Sequence, residues 1–334
     1  MFVVVASILV LLQTGGLRER RVANIFRPLG TQAAHEYEIA LFTFAITGAI
    51  FVIVAGLLFY IIWRFRHRPS DHNPDEPPQV YGSNQIEIAW TFIPILGVFV
   101  LIGVTSRFIF SLQDTTSQTP AERIRIVGHQ WWWEVHYPDY GVVTANEIHI
   151  PVSGSTGRPV LLQLESADVI HSFWVPQLSG KTDLIPGRAN TMWIDARAPG
   201  IYLGNCAEYC GTQHANMLLR VFAEPKPAYD NWIAAQRRSA QSDAAQSGRN
   251  VFESLSCVNC HTIRGTVAKG VFGPDLTHLM SRTTIAAGML ENTPKNLRDW
   301  VNDPQEMKPG SLMPSMKLTG AELNAIMSYL ESLH

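Results

Sequence analysis

The sequence predicts a multidomain membrane protein, in which a two-helix transmembrane hairpin precedes an all-β domain and an all-α domain. Three observations predict this class. Two long uncharged apolar runs lie in the N-terminal third, short β-rich segments divided by Gly and Pro follow, and a helical pattern begins near residue 248. A chain of 334 residues has room for two or three domains. Because the net charge is only −2, we expect no nucleic-acid partner.

The two apolar runs are residues 39–63 and 88–106, which contain 25 and 19 residues. Each is long enough to cross a hydrocarbon core about 30 Å thick as a helix, and a buried helix of a soluble protein is the alternative. We therefore predict a hairpin over 37–112 in the lipid bilayer, with spans at about 39–63 and 88–110.

The first 36 residues form a separate predicted segment. Residues 1–12 are apolar and resemble the core of a secretory signal, although no positive residue precedes them. We interpret residues 1–36 as a signal-like segment followed by an extracytoplasmic tail. Arginines occur both in this segment and at 64–68, after the first span, so the positive-inside rule does not decide the orientation.

Residues 120–224 have the pattern of an antiparallel sandwich or barrel. The β-rich segments are 124–127, 142–150, 160–164, 191–196, 201–203 and 218–223. The polar residues at 239–247 are typical of a linker, although 229–238 could form a short helix. We assign 225–247 as the linker and 248–334 as the all-α domain.

A cluster of soft metal ligands lies between the last two β-rich segments, in Cys206-Ala-Glu208-Tyr-Cys210-Gly-Thr-Gln-His214-Ala-Asn-Met217. Thiolate, imidazole and thioether ligands together suit copper. A disulfide is the usual alternative outside the cytoplasm, but it requires neither His214 nor Met217. Two bridging thiolates can hold two copper ions close together. His171 is the best candidate for a second histidine, and its alternative role is structural.

The remaining two cysteines lie in Cys257-Val-Asn-Cys260-His261, which matches the C-x-x-C-H pattern for covalent attachment of c-type haem. A chance match, a zinc site or a redox motif is the alternative. Attachment of c-type haem takes place outside the bacterial cytoplasm, so we expect both C-terminal domains on the extracytoplasmic side of a bacterial cell membrane that the chain crosses twice.

The copper motif, together with residues 168–176, 181–188 and 128–133, closely resembles subunit II of cytochrome c oxidase. This resemblance covers about residues 35–224 and implies a cupredoxin-like domain with a dinuclear CuA centre. It implies six copper ligands: His171, Cys206, the backbone carbonyl of Glu208, Cys210, His214 and Met217. In the family, the carboxylate matching that of Glu208 also binds magnesium at the boundary with subunit I.

Two further residues receive roles from the same resemblance. Trp131 takes the position of a tryptophan that relays electrons from docked cytochrome c, although clustered tryptophans are more often core residues. Glu87 takes the position of a glutamate at the mouth of a proton pathway, although a charge there can simply mark the membrane interface.

Residues 248–334 resemble class I cytochromes c, through the C-x-x-C-H motif, Gly273-Pro274 and Met313-Pro314. The resemblance implies thioether bonds to haem c from Cys257 and Cys260, with His261 and Met313 as the axial ligands of the iron. Met307 and Met316 are alternatives to Met313, with core or loop positions as their ordinary roles.

The combination resembles the caa-type bacterial oxidases. It implies an enzyme subunit that accepts electrons at haem c and passes them to CuA and on to the haem of subunit I, where oxygen is reduced to water coupled to proton translocation. The expected partners are subunit I, probable subunit III, and an electron donor such as a cytochrome c or another high-potential carrier.

Three other functions are alternatives. The chain could be the electron-entry subunit of a CuA-linked nitric-oxide reductase, since the terminal chemistry belongs to the partner. A relative of nitrous-oxide reductase would need a second, histidine-rich copper cluster, and the 11 histidines here are scattered. A membrane-tethered copper-storage or copper-delivery protein would not need haem.

Overall fold

The computed structural model describes residues 24–66, 79, 81–113, 119–240 and 246–334. Two compact units divide the chain: residues 35–114 form one, and the residues up to 34 and from 115 onward form the other. Three parts of our predictions lie outside the described residues. They are residues 1–23 of the signal-like segment, most of the loop between the spans, and residues 241–245 of the linker.

The smaller unit consists of two long helices, α1 (Thr31–Arg64) and α2 (Asn84–Gln113). Both extend beyond the apolar runs that predicted them, and residues 31–36 are helical although we assigned them to a tail. The most apolar window of each helix contains no buried residue. A continuous exposed apolar surface of this length is unfavourable in water and suits a helix surrounded by lipid. His35 and Phe108 make an edge contact between the two helices, with ring centroids 5.9 Å apart.

The first residues of α1, 31–34, belong to the larger unit and are bonded within it. The Thr31 backbone N–H and hydroxyl donate to the carboxylate of Asp195, at 2.7 and 2.9 Å. The Leu29 N–H donates to the Gln177 carbonyl at 2.7 Å. An acidic side chain at a helix N-terminus satisfies free N–H groups and complements the helix dipole.

A β-domain occupies residues 122–236 of the larger unit. Its strands form two five-stranded sheets, in the orders β3-β2-β1-β5-β8 and β4-β10-β9-β6-β7. The elements are β1 (Glu122–His129), β2 (Trp132–Tyr137), β3 (Val142–Ala145), β4 (Glu147–Pro151), the short helix α3 (Ser153–Thr156), β5 (Val160–Ser166), β6 (His171–Trp174), β7 (Lys181–Leu184), β8 (Asn190–Ile194), β9 (Gly200–Cys206) and β10 (Leu218–Glu224).

The sheets are mixed, which corrects the prediction of an antiparallel arrangement: β1 runs parallel to β5, and β10 runs parallel to β4. The predicted strand 142–150 is two strands, β3 and β4, in different sheets. Asn146 lies between them with a φ of 63°. Asparagine tolerates this left-handed conformation better than most residues, so the chain can turn there from one sheet to the other.

The core of the β-domain lies between the two sheets. Side chains that alternate along the strands point into it, and its largest members are almost fully buried: Trp133, Tyr137, Phe173 and Tyr202. Burial of large apolar side chains is the main favourable contribution to such a core, and close packing gives it a rigid shape. The loop that follows β9 therefore starts from a rigid position.

A helix, α4 (Lys226–Gln236), follows β10 and packs on the β-domain, where we had assigned a linker from residue 225. Tyr229 and Ile233 are buried in the same core as the strands. The ring of Trp232 stacks on that of His149 in β4, with centroids 4.0 Å apart. The β-rich pattern ends at residue 224, but the packed domain continues to the end of α4.

The C-terminal domain is mainly helical. Its elements are α5 (Gln246–Ser254), α6 (Cys257–Cys260), the small hairpin β11 (Thr284–Ile285) and β12 (Leu290–Glu291), α7 (Pro294–Asn302), α8 (Pro304–Met307) and α9 (Gly320–Leu330). Helices α5 and α9 pack closely: a side chain at Gly248 would collide with the carbonyl of Ala325. Phe252 and Tyr329 meet edge to face at this crossing, with ring centroids 5.7 Å apart.

The β-domain and the C-terminal domain contact each other directly. The backbone N–H of Leu218 donates to the Ala287 carbonyl at 3.0 Å. Residues 236–240, within the predicted linker, also bond to the C-terminal domain: His278 Nε2 lies 3.0 Å from the Arg238 carbonyl. The described residues of the predicted linker therefore pack against the two domains.

Candidate metal centres

The soft-ligand motif folds into a single cluster at one end of the β-domain. Cys206 ends β9, Met217 immediately precedes β10, and the loop between them carries Cys210 and His214. His171 begins β6, which pairs with β9 so that Phe173 lies opposite Cys206. Strand pairing thus brings a residue 35 positions earlier in the chain to the ligand loop.

The donor atoms of this cluster lie close enough to share metal ions. The sulfur atoms of Cys206 and Cys210 are 3.8 Å apart. His171 Nδ1 lies 3.9 Å from the Cys206 sulfur, and His214 Nδ1 lies 3.5 Å from the Cys210 sulfur. The Met217 sulfur is 3.8 Å from that of Cys210. The carbonyl oxygen of Glu208 lies 3.2 Å from the Cys206 sulfur.

The two cysteines are free thiols, and a sulfur–sulfur separation of 3.8 Å is far longer than a disulfide bond. Both side chains are buried, as are His171 and Met217. A water-excluded set of thiols, imidazoles and a thioether is the donor set that copper prefers. The residues present therefore fit a copper centre.

Electrostatics at the cluster favour one thiolate before any metal binds. The hydrogen bond with Cys210, followed by that with His171, lowers the pKa of Cys206. The charge on Cys206, together with burial, raises the pKa of Cys210. A bound cation would supply the charge that ionises the second thiol, because metal binding and deprotonation are linked.

Neighbouring side chains orient the candidate ligands. Asp168 Oδ1 lies 2.8 Å from His171 Nε2, which leaves Nδ1 facing the cluster. Burial favours the neutral imidazole, but Asp168 and Cys206 together outweigh burial and raise the pKa of His171. Gln130 Nε2 and Trp131 Nε1 both donate to the carbonyl of Cys210, at 2.8 and 3.0 Å. Such partners fix ligand orientation in metal sites.

Two glycines make room for this arrangement. A side chain at Gly128 would lie 2.8 Å from the His171 ring, and one at Gly211 would lie 2.9 Å from the Trp131 ring. Gly211 also has a φ of +118°, which side-chain-bearing residues rarely adopt. Any larger residue at either position would displace a ring of the cluster.

The C-x-x-C-H motif occupies α6, a single helical turn. Cys257 and Cys260 are free and partly exposed. His261 Nδ1 lies 2.8 Å from the Pro274 carbonyl, so Nε2 remains available to a ligand. Gly273 lies against the His261 ring, where a side chain would approach within 2.7 Å. Burial lowers the pKa of His261, which favours the neutral ring that binds iron.

Large apolar side chains of this domain are exposed near the motif in sequence and next to Met313: Val267, Val271, Phe272 and Leu312. Exposed apolar side chains mark a binding surface where they form a contiguous patch. Together with two free thiols and an imidazole with a free nitrogen, they fit a large apolar group such as a porphyrin.

Met313 lies in the loop before α9, and its position is held by α8. Gln305 Nε2 donates to the carbonyls of Ser311 and Met313, both at 2.8 Å. Met307 is the last residue of α8, and Met316 follows Met313 in the same loop. The bonds from Gln305 single out the part of the loop that contains Met313.

The remaining predicted residues occupy different surroundings. Glu208 is exposed beside the buried Cys210. Trp131 is partly buried against the core, and its ring nitrogen reaches the ligand loop. Glu87 lies in the first turn of α2 in the smaller unit, where its carboxylate is close to Gly82.

Sequence reasoning assigned no role to three residues that the structure brings to the site. Asp168 and Gln130 lie in the segments that carried the family resemblance, but only the fold shows their bonds. Lys308 is almost fully buried, 2% exposed, against the ligand loop. The local sequence around it, Lys308-Pro-Gly310, is typical of an exposed turn, so no sequence signal indicated its burial.

The fold and these two clusters define a membrane-anchored redox protein with a copper-type centre and a c-type haem domain. Three family models match the chain: cytochrome c oxidase subunit II, transmembrane domain, over residues 30–109; cytochrome c oxidase subunit II, periplasmic domain, over 142–223; and cytochrome c, over 245–334.

Relatives match nearly the whole chain. Cytochrome c oxidase subunit 2 of Alkalihalophilus pseudofirmus is 36% identical over 98% of this chain and 95% of its own length. That of Bacillus sp. (strain PS3) is 33% identical over 93% of this chain and 91% of its own length. A crystal structure of the periplasmic domain of subunit II from Bradyrhizobium japonicum is 29% identical, covers 36% of this chain and 95% of that one, and has a TM-score of 0.34.

The chain belongs to the cytochrome c oxidase subunit II family and carries a fused cytochrome c domain. The predicted architecture is confirmed: a transmembrane hairpin, a cupredoxin-like domain and a cytochrome c domain. The protein is a membrane-anchored subunit of a haem–copper oxidase, with extracytoplasmic domains and subunit I as its partner.

Proposed function

We propose that the chain accepts electrons at haem c and passes them to a dinuclear CuA centre and on to the haem of subunit I, where oxygen is reduced to water coupled to proton translocation. One observation carries this proposal. Two free, buried cysteine sulfur atoms lie 3.8 Å apart among histidine and methionine donors, on a β-domain that directly contacts the C-x-x-C-H domain.

The proposed copper ligands are His171, Cys206, the carbonyl of Glu208, Cys210, His214 and Met217. Bound copper would supply one-electron redox chemistry. The chain's contribution is to hold two thiolates and two imidazoles in a buried, rigid set, so that little rearrangement accompanies a change of charge. Asp168 orients His171 and fixes which ring nitrogen faces the metal.

For haem c, we propose thioether bonds from Cys257 and Cys260, with His261 and Met313 as the axial ligands. The Pro274 carbonyl holds the His261 ring through Nδ1, and Gly273 lets the backbone approach that ring. A methionine thioether opposite a histidine raises the potential of a haem. Gln305 supports this role for Met313 because it fixes the loop on both sides of Leu312.

Three further roles depend on subunit I or on an external donor. We propose that the exposed carboxylate of Glu208 contributes to a magnesium site at the boundary with subunit I. Glu87, at the first turn of α2, would lie at the entry of a proton pathway. Trp131, bonded to the Cys210 carbonyl, would conduct electrons to the copper ligands.

We also propose a bacterial cell membrane as the location, subunit III as an additional partner, and a cytochrome c or another high-potential carrier as the donor. The test is metal analysis, optical spectroscopy and gas uptake of the purified complex. We expect a copper pair and one c-type haem on this chain, and oxygen consumption without turnover of nitric oxide. Nitric-oxide reduction in place of oxygen reduction would overturn the proposal, as would a chain without haem.

A further inference from the structure

The contact between the cytochrome c domain and the copper-ligand loop centres on a buried lysine. The Lys308 ammonium donates hydrogen bonds to three carbonyl oxygens: Trp131 at 2.9 Å, Asn216 at 2.9 Å and Ala286 at 3.1 Å. An ammonium group has three N–H donors, so all three are satisfied. Two of the acceptors belong to the cupredoxin-like domain and one to the cytochrome c domain.

Both cupredoxin acceptors belong to segments that shape the copper cluster. Asn216 immediately precedes Met217, and Trp131 donates from its ring nitrogen to the Cys210 carbonyl at 3.0 Å. Next to Lys308, the Pro309 carbonyl accepts a bond from Gln213 Nε2 at 2.7 Å. Gln213 in turn precedes His214. The segment 308–310 therefore lies directly on the ligand loop.

The same segment leads to the proposed haem ligand. Met313 follows Lys308 by five positions, and Gln305 bonds to the carbonyls of Ser311 and Met313. A short, ordered stretch of chain thus joins the copper-ligand loop to the loop of the candidate haem ligand.

The charge of Lys308 lacks the usual partner. Among the described residues, no carboxylate forms an ion pair with this ammonium group. An unpaired buried cation is costly, and carbonyl dipoles offset only part of that cost. The ammonium group therefore lies at the ligand loop with carbonyl oxygens as the partners that the described residues give it.

We propose that Lys308 is a positioning residue, which holds the cytochrome c domain against the copper-ligand loop and places a positive charge on that loop, at the carbonyl of the residue before Met217. The inference rests on the proposed function. The step concerned is the transfer of one electron from the reduced haem to the oxidised copper pair, with no bond made or broken. A nearby positive charge favours the form of the centre that has gained the electron.

A second contact across the same domain boundary provides a matched comparison. Glu147 is buried, and its carboxylate accepts bonds from the backbone N–H and hydroxyl groups of Thr283 and Thr284, at 2.6 to 3.1 Å. Weakening this contact should loosen the two domains without removing a positive charge from the copper cluster. Lys295 is the control for lysine replacement itself, because its side chain is 82% exposed.

The experiment uses the purified oxidase with the full chain and the variants Lys308→Met, Lys308→Arg, Glu147→Gln and Lys295→Met. Two measurements are made besides turnover. The reduction potentials of copper and haem are titrated optically, and hydrogen exchange is followed at 212–217 and 284–288. If Lys308→Met does not retain both metals, Lys308→Gln, which also lacks the charge, takes its place.

For Lys308→Met we expect faster exchange in both segments and a haem-to-copper equilibrium less favourable by about tenfold, equivalent to a copper potential about 59 mV lower. Lys308→Arg should retain the wild-type copper potential to within about threefold in that equilibrium. Glu147→Gln should speed exchange at 284–288 without lowering the copper potential, and Lys295→Met should change neither.

Two results would overturn the role of Lys308: unchanged exchange and potential in Lys308→Met, or an equal fall in copper potential in Glu147→Gln. Failure of the proposed function would look different. In that case the wild-type complex would itself lack a copper pair or would show no electron transfer from haem to copper. If wild type and Lys308→Met transfer electrons equally well, only the inference about Lys308 fails.

Discussion

The two cysteine pairs of this chain have the same ligand chemistry but opposite surroundings. Cys206 and Cys210 are buried at the end of a rigid sandwich and face each other, with their sulfur atoms 3.8 Å apart. Cys257 and Cys260 begin and end a single helical turn and are partly exposed. The first pair shares charge within a compact cluster. The second pair is presented along one side of a turn, which suits attachment of a large flat group.

The first cysteine of each pair has a shifted pKa, and the two shifts have opposite directions. Hydrogen bonds from Cys210 and His171 lower the pKa of Cys206, so a thiolate is available for a metal. Burial raises the pKa of Cys257, which keeps it a thiol. A metal cluster needs thiolate ligands, whereas covalent attachment consumes a thiol. The surroundings thus match each pair to a different use.

Replacing one cysteine of either pair by serine should have the largest effect, and the effect should be confined to the site of that pair. We expect Cys206→Ser to lose the copper pair while keeping haem, because a neutral serine hydroxyl is a harder and much weaker ligand for copper than a thiolate. Cys257→Ser should keep the copper pair and lose one covalent link to haem. Electron paramagnetic resonance and haem staining of denatured protein measure both effects. An unaltered dinuclear copper signal in Cys206→Ser would refute the ligand set.

Replacing the thioether of Met313, the proposed axial ligand, should change the haem site and leave the copper site unchanged. We expect Met313→His to retain haem and to lower its potential by on the order of 0.1 V, a fraction of the ~0.8 V range that axial ligands span. The copper spectrum should not change. Redox titration at haem wavelengths provides the measurement, and the same change in Met316→His serves as the control. A normal potential in Met313→His would indicate a different sixth ligand.

The groups that orient the two histidines, His171 and His261, should also respond differently to mutation. His171 is oriented by a side chain, Asp168, whereas His261 is oriented by the Pro274 backbone carbonyl. Only the first support can be removed without moving the chain. We expect Asp168→Asn to weaken copper binding by about 10–100-fold, the usual effect of losing such a partner. Competition with a copper chelator measures this loss, and full retention of affinity would contradict the role of Asp168.

The smallest effect concerns the scaffold of the copper site. The Glu134 carboxylate in β2 lies 2.9 Å from Nε2 of both His129 and His136, on either side of the Trp131 turn. Burial opposes its ionisation, but the two histidines outweigh burial and lower the pKa of Glu134 to about 2. Because the pKa is lowered on folding, the stabilisation is complete above the ordinary value near 4.5 and is lost as the pH falls towards 2.

We therefore expect Glu134→Gln to reduce stability at pH 7 by about 1–2 kcal/mol, less than the full shift implies because the side chain remains partly exposed. The difference from wild type should shrink as the pH falls below about 4.5 and approaches 2. The stability difference is measured from the temperature at which the copper spectrum is lost, at a series of pH values across this range. A difference that grows with acidification would show that the carboxylate acts in another way.

Much of the architecture could be read from the sequence because it depends on local patterns. The apolar runs at 39–63 and 88–106 fall inside α1 and α2, and the cytochrome c family model matches residues 245–334, where we predicted an all-α domain over 248–334. The β-rich pattern gave a wrong strand assignment at the point where the chain passes from one sheet to the other. Residues 142–150 are uniformly suited to a strand, and only the turn at Asn146 shows that they contribute to two sheets. Helix α4 fell within the predicted linker because the polar residues at 239–247 indicated a linker and the possible short helix at 229–238 was included in it.

By itself, the sequence determined the candidate ligands within each motif: both cysteine motifs, the spacing of their histidines and the two apolar runs are contiguous patterns. Only the tertiary structure decided what those ligands meet. Strand pairing brings His171 to Cys206, and domain packing places Lys308 on the copper-ligand loop. The physical reason is that ligand spacing within a loop is set by bond lengths. Contacts between distant segments are set by the burial of side chains and the satisfaction of hydrogen bonds across the whole fold.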